Sequence, residues 1–232
     1  MSRFVDLSHP IVAGMTTYPG IPGPTMRTFV SREESAQRRA AGLSFDLQRV
    51  DMVANTGTYL DAPFHLHAEG ADVAQLPLER IVDVPIIVVP AQGRTRIEAS
   101  LLGDPGLLWG AAVLVHTGWS RRWGSDAYFT GSPYLTPGTA QALVEANVAL
   151  VGIDALNIDD IEDIDDIDDI DDIDDIEDRS RPAHHILLAS AIPLLEHLTN
   201  LDAIPGTGAR LTALPAPVRG MGTFPVRAVA VR

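Results

Sequence analysis

Cysteine is absent from the 232-residue chain. That absence removes disulfides, thiolate zinc sites and a cysteine nucleophile in one step. Long apolar runs are absent as well, with no stretch reaching the 18 or so residues that suggest a membrane span. The N-terminal MSRFVDLSHP has no apolar core of the signal-peptide kind, so a cytoplasmic chain with no membrane association is expected. No basic patch stands out that would suit a nucleic acid. G-x-S-x-G, a Walker loop and G-x-G-x-x-G are all missing, which takes away the usual signs of a serine hydrolase, a P-loop and a dinucleotide fold.

Charge is present but unevenly placed. The formal net charge is −14, yet residues 158–178 alone hold fourteen Asp and Glu and no basic residue. The other seventeen acidic side chains balance the seventeen Lys and Arg, so the rest of the chain is near neutral. The acidic segment is seven consecutive Ile-acid-acid triplets. A period of three matches neither a strand nor a helix; on a helix each Ile steps back by roughly 60°, so no face stays apolar. The pattern predicts a solvated insertion in a surface loop, where added length costs little closure entropy. A calcium loop fits poorly, because the glycine and ligand spacing of an EF-hand are missing.

The remainder reads as one α/β domain over residues 1–232, with the repeat at 158–178 inserted in it. Strand-like runs recur: FVDLSHPI, FDLQRVDMVA, VPIIVVPA, AAVLVHTG, VALVGID and the terminal FPVRAVAV. VPIIVVPA and AAVLVHTG are almost wholly apolar, as in strands covered on both faces. FPVRAVAV alternates in part, which predicts an edge or one-sided strand. TPGTAQALVEANV predicts a helix with Thr136 as N-cap and Pro137 at its first position. In HHILLASAIPLLEHLTNL, Pro193 is expected to end or kink one helical segment and open another. Layered mixed sheets with interspersed helices follow.

Two clusters could carry chemistry. In NTGTYLDAPFHLH, Asp61 and His65 lie four apart on a segment stiffened by Pro63, which suits a catalytic base or a metal ligand. The same residues also read as a turn, with Asp61 capping backbone N–H groups and His65 merely exposed. In RPAHHILLASAIPLLEHLTNL, His184 and Glu196 are twelve apart. Brought to Asp61, they would make a one-imidazole, two-carboxylate set suited to Zn²⁺ or Mn²⁺; separately, they are an ordinary cap and a solvated turn. His116 with Trp119 and Trp123 suggests a buried strand histidine or an aromatic pocket wall. Met15, Tyr18 and Pro19 in GMTTYPG form a loop that covers a pocket or a packed turn.

Taken together, VDLSHPIVAGMTTYPG, NTGTYLDAPFH, LPLERIVDVPIIVV, VLVHTGWSRRWG, LVGIDALNID, HHILLASAIPLLEHLTNL and FPVRAVAV resemble, in order, the cyclase family that includes kynurenine formamidases and isatin hydrolase. The resemblance covers nearly the whole chain. It implies a swivelling β/β/α fold, a homodimer or homotetramer, and hydrolysis of an aryl formamide, cyclic amide or lactone, as in tryptophan catabolism, by metal-activated water.

The family signature His-x-Gly-Thr-His-x-Asp-x-Pro-x-His reads here Asn55, Gly57, Thr58, Tyr59, Asp61, Pro63 and His65. The resemblance gives Asp61, His184 and Glu196 as the second metal position and His65 as the base or proton shuttle. The two histidines of the first metal position are Asn55 and Tyr59. Three readings stay open. One divalent metal, Zn²⁺ or Mn²⁺, sits at Asp61, His184 and Glu196. Alternatively the enzyme is metal-free, a cyclase or lyase in which Tyr59 and Asn55 donate to a small-molecule substrate while His65 and Asp61 do acid–base work, with Trp119 against the substrate. In the third reading the protein is a non-catalytic binder. Both replacements keep hydrogen-bonding ability, which favours altered chemistry over loss.

Overall fold

The computed structural model describes residues 3–40, 42–160, 181–206 and 208–232. Its strands are β1 (Phe4–Asp6), β2 (Thr25–Val30), β3 (Leu47–Asp51), β4 (Tyr59–Asp61), β5 (Val84–Pro90), β6 (Arg96–Ile97), β7 (Ala112–His116), β8 (Tyr134–Leu135), β9 (Leu150–Ile153), β10 (Leu194–Glu196), β11 (Arg210–Thr212), β12 (Thr223–Pro225) and β13 (Val229–Val231). Its α-helices are α1 (Arg32–Gln37), α2 (Pro137–Glu145) and α3 (Pro182–Ala189). A mixed sheet runs in the order β1-β13-β11-β5-β7-β9-β10-β4-β12. Its centre, β5-β7-β9-β10, is parallel, and both flanks pair antiparallel.

The near-continuous apolar runs form the parallel centre because both of its faces are covered. All five residues of β7 are buried. Val113, Val115, Val151 and Ile153 face a cluster completed by Ala140 and Leu143 of α2 and by Ala183, Leu187 and Leu188 of α3. Ala112, Leu114 and Leu150 face the other way, into a cluster shared with Val5 of β1, Leu60 of β4, Leu211 of β11 and Ala230 of β13. Helices thus lie on one side and the flanking strands share the core of the other, a β/β/α layering. α2 starts as the sequence predicts, with the Thr136 side chain accepting the Thr139 N–H and Pro137 following.

Two expectations change. Pro193 opens a strand, not a second helix: the chain turns through Ala191, at φ 55, and enters β10. Leu194 and Leu195 are fully buried between β9 and β4, and that tertiary setting overrides any helical preference. FPVRAVAV likewise divides, into β12 at one end of the sheet beside β4 and β13 between β1 and β11.

The acidic repeat is also bounded differently. Ile158 and Asp159, counted as its first residues, are 0% and 1% exposed and belong to the core. The expectation of a solvated loop otherwise concerns 161–178, which lie outside the described residues.

A separate hairpin, β2-β3, lies outside the main sheet. It exposes Met26, Phe29, Leu47 and Val50.

Candidate metal centre and active site

The site is built across three short strands and the first turn of α3. Residues 59 and 61 fall on the same face of β4, while Leu60 turns into the core. β4 lies between β10 and β12, so Tyr59 is opposite Glu196, and Asp61 is opposite Thr223. β10 therefore delivers Glu196 to the Tyr59 and Asp61 face, which the helix expected after Pro193 would not have done.

His184 is set by Asp159. One carboxylate oxygen of Asp159 accepts the Ala183 N–H at 2.7 Å, and the other accepts the His184 N–H at 3.2 Å and faces His184 Nδ1 at 2.7 Å. Asp159 thus caps α3 from a distance, where the N-cap residue Arg181 makes no side-chain cap bond. The contact fixes the imidazole with its Nε2 toward the other two acids, at 3.8 Å from Asp61 Oδ2 and 3.7 Å from Glu196 Oε1.

Asp61, His184 and Glu196 are all buried and offer ligand atoms within 4.8 Å of one another. Three donors held at about 2.1 Å from a tetrahedral ion lie roughly 3.4 Å apart, so the 3.8 and 3.7 Å separations from His184 need only a slight contraction. Asp61 Oδ2 is buried and has no hydrogen-bond partner, the kind of orphan a cation satisfies. A ligand histidine whose second nitrogen bonds a carboxylate is the usual arrangement at metal sites. The residues therefore fit a divalent metal.

Without a metal, a proton holds the same place. Burial alone would depress the His184 imidazole, but Asp159, Asp61 and Glu196 outweigh it and raise its pKa to about 10. Burial opposes ionisation of Asp61, yet His184, His65 and Thr223 hold it below the usual carboxylate range. Burial pushes Glu196 up to about 7, with His184 drawing it down and Asp61 adding to the rise. A metal at this site would compete with the proton on His184.

Tyr59 occupies the other half of the site. Its hydroxyl donates to Glu196 Oε2 at 2.5 Å, while Glu196 Oε1 accepts the Ile158 N–H at 2.7 Å. Burial, Glu196 and Asp61 raise the phenol well above its ordinary pKa. Tyr59 is consequently a neutral donor whose proton is directed at a ligand carboxylate rather than into open space.

His65 stands next to Asp61, with Nδ1 at 4.0 Å from Oδ1. The Thr223 hydroxyl donates to Asp61 Oδ1 and lies 3.1 Å from His65 Nδ1. Since that hydroxyl hydrogen goes to Asp61, Thr223 accepts from His65, which puts the imidazole proton on Nδ1 and leaves Nε2 as an acceptor. Burial lowers the His65 pKa, with Asp61 opposing. Gly222 presses on this residue: a Cβ there would lie 2.5 Å from His65 Cα and 2.7 Å from its N.

A cavity of about 180 Å³ opens on the set, lined by Tyr18, Ile21, Asn55, Tyr59, Asp61, His65, Asn157, Arg181, His184 and Glu196. Asn55 is among these residues, as the sequence suggests, and so is Tyr18. Trp119 is not. Its indole N–H bonds the Tyr128 carbonyl at 2.9 Å, and Arg122 stacks 3.8 Å from its ring centroid. His116 is buried at the end of β7 against Gln92. Asp159, Thr223 and Arg181 escape a sequence reading. Asp159 hides in the acidic run, and only the non-repeating LVGIDALN before it marks that folded sequence continues up to this point.

The sequence model of the Cyclase family matches residues 5–160. The chain belongs to the Cyclase family. It is 28% identical over 229 residues to a kynurenine formamidase of Geobacillus thermodenitrificans, covering 98% of this chain and 97% of that protein. A Bacillus cereus kynurenine formamidase is 27% identical over 228 residues, with 98% and 97% covered. Among solved structures, an isatin hydrolase bound to the product analogue thioisatinate aligns with TM-score 0.75 at 21% identity, over 99% of this chain and 92% of that one. A potential metal-dependent hydrolase with cyclase activity aligns with TM-score 0.73 at 24% identity, over 98% and 96%. These structural likenesses establish the shared fold.

Proposed function

We propose that this Cyclase family member hydrolyses the C–N bond of a compact aryl formamide or cyclic amide, or the C–O bond of a lactone, with one divalent metal, Zn²⁺ or Mn²⁺, held by Asp61, His184 and Glu196. The observation that carries this reading is the double use of Asp61. Its Oδ2 faces His184 in the ligand set, and its Oδ1 is joined through Thr223 to His65. One carboxylate therefore sets the distance between a metal and a base. The named kynurenine formamidase and isatin hydrolase relatives support the choice of an amide substrate.

A divalent cation bound there supplies Lewis acidity toward a carbonyl oxygen and acidifies water. The chain's own residues do the rest. His65 Nε2 takes the proton of the attacking water as its oxygen bonds the carbonyl carbon. The same proton then passes to the leaving nitrogen as the C–N bond breaks. Thr223 and Asp61 keep His65 in the tautomer that can do this. Asp159 holds His184 in place, and Tyr59 fixes the carboxylate of Glu196. The cavity of about 180 Å³ is smaller than the roughly 300 Å³ at the lower end of common ligand sites, which favours a substrate of one ring with short substituents.

The metal-free cyclase or lyase reading, with Tyr59 donating to a substrate carbonyl, is disfavoured because that hydroxyl already bonds Glu196. A purely binding role leaves the His65, Thr223 and Asp61 relay without a use. We further propose a homodimer or homotetramer in the cytoplasm, with the exposed apolar side chains of β2-β3 at an interface. A two-stranded hairpin alone is marginal in water and gains from being covered. Among the described residues no helix is long and apolar enough to cross a membrane.

The test is metal analysis of protein purified without chelator, with assays on N-formylkynurenine, isatin and simple lactones. Hydrolysis that is lost on chelation and restored by Zn²⁺ or Mn²⁺ is the expected result. No bound metal and no metal-dependent turnover would overturn it.

A further inference from the structure

His65 ends a single short helical turn, Pro63–His65. Such a turn has little stiffness of its own, because its hydrogen bonds are few and poorly aligned. A base nevertheless has to stay within a fraction of an ångström of its working place. What holds the turn comes from outside it. Two glycines press on its backbone from separate segments. A Cβ on Gly70 would lie 2.8 Å from both Pro63 C and Pro63 Cβ, and one on Gly222 would lie 2.5 Å from His65 Cα. Neither glycine adopts a left-handed φ, so close approach rather than backbone conformation calls for the missing side chain.

The two segments are tied to the turn and to each other. The Ala62 N–H donates to Gly222 O at 2.7 Å, and the Phe64 N–H donates to Ala71 O at 3.1 Å. Between the segments, the Val73 N–H donates to Met221 O at 3.0 Å. The buried carboxylate of Asp72 adds a second tie. Its Oδ2 accepts the Gly220 N–H at 2.8 Å and its Oδ1 accepts the Ala74 N–H at 2.9 Å. The turn, 70–74 and 220–223 thus close into a ring of contacts around the base. Gly70, Asp72 and Gly222 are not members of the ligand set Asp61, His184 and Glu196. The contacts that place the base are therefore separable from those that place the ligands.

We propose that Gly70, Gly222 and Asp72 are positioning residues for His65, holding its imidazole at the site without touching substrate. The inference rests on the reading of His65 as the base. To bring a Cβ at residue 222 to an ordinary carbon contact of about 3.5 Å, His65 Cα has to retreat by roughly 1 Å. A displacement of that size can cost about a hundredfold in rate.

The experiment measures kcat, KM and metal content on metal-supplemented Gly222→Ala, Gly70→Ala and Asp72→Asn, each alone and combined with His65→Ala. Asp72→Asn adds no atom to the packed region, so it keeps the test open if an alanine variant fails to fold. Its amide keeps one acceptor oxygen where the carboxylate has two. Gly222→Ala should lower kcat by about tenfold to a hundredfold, with KM within about twofold and metal content equal to that of wild type. Gly70→Ala and Asp72→Asn should lower kcat by smaller factors. In the His65→Ala background none of these changes should lower kcat further, because each acts through residue 65. A merely structural residue would remove the same factor in both backgrounds. Unchanged kcat in every variant that folds, or equal losses with and without His65, would overturn the proposal while leaving the hydrolase reading intact. If wild type hydrolyses none of the amides and lactones assayed, the reaction reading falls. Carbethoxylation of the histidines by diethyl pyrocarbonate, followed residue by residue by mass spectrometry, then decides the positioning alone. The rate at His65 relative to that at exposed His185 should change several-fold in Gly222→Ala and Asp72→Asn, and an unchanged ratio would overturn the positioning.

Discussion

Asp61 and Tyr59 sit two residues apart on one face of the same three-residue strand, yet they are opposites in chemistry. Asp61 has a buried oxygen with no hydrogen-bond partner. Tyr59 has its single hydroxyl proton bonded to Glu196. One position is open to a cation and the other is closed by a neutral side chain. In the signature this sequence resembles both would be ligand positions, whereas among the described residues one set, Asp61, His184 and Glu196, could hold an ion. On one short strand, one inward residue thus offers a donor atom to the candidate ligand set while the other braces a member of that set through a hydrogen bond.

Removing the open half should have the largest effect. His184→Ala should abolish metal binding and lower kcat/KM by roughly a thousandfold or more, measured by elemental analysis and steady-state kinetics. Retained metal at one equivalent would show that the ligand set lies elsewhere. Asp159→Asn is subtler. It keeps an acceptor for the α3 N–H groups but weakens the hold on His184, and metal affinity should fall about 10- to 100-fold, as for other partners of metal-bound histidines. Competition with a fluorescent chelator would read this directly.

Much of this site is legible in the sequence. Asp61, His184 and Glu196 are the right residue types, and a family resemblance over the whole chain brings them together. The polar character of Asn55 and Tyr59 signals a retained pocket. Asp159 is not legible, because its neighbours in sequence are a run of identical triplets and its function depends on a contact with residue 184 across the repeat. Thr223 is hidden for a related reason. FPVRAVAV reads as one strand, and only the pairing of β12 with β4 places the Thr223 hydroxyl on Asp61. Local pattern fixes strands well where both faces are apolar, as in β5 and β7, and poorly where a proline separates elements whose fate is decided by tertiary packing, as at Pro193.

The closed half gives the next tests. Replacing Asn55 and Tyr59 together by histidine restores the two signature ligand types, and should raise bound metal from about one to about two per chain, measured by elemental analysis; a stoichiometry that stays at one would mean the backbone no longer supports the first position. Tyr59→Phe keeps the ring but leaves Glu196 Oε2 with no donor. A cost of about 1–3 kcal/mol is expected in stability without metal, and added metal should recover part of it by binding the native state, as read by thermal unfolding with and without Zn²⁺. The smallest effect is expected from deleting Ile161–Asp175, which should leave folding and metal content unchanged. An insoluble product would show the repeat to be structural.

A single metal held at Asp61, His184 and Glu196 is the reading on which the proposed reaction depends. It is tested most directly by elemental analysis of the wild-type protein purified without chelator, alongside Glu196→Gln. About one equivalent of Zn²⁺ or Mn²⁺ per wild-type chain and a marked loss in the variant are expected. Less than about 0.1 equivalent with no uptake on supplementation, or about two equivalents in the wild type, would contradict it.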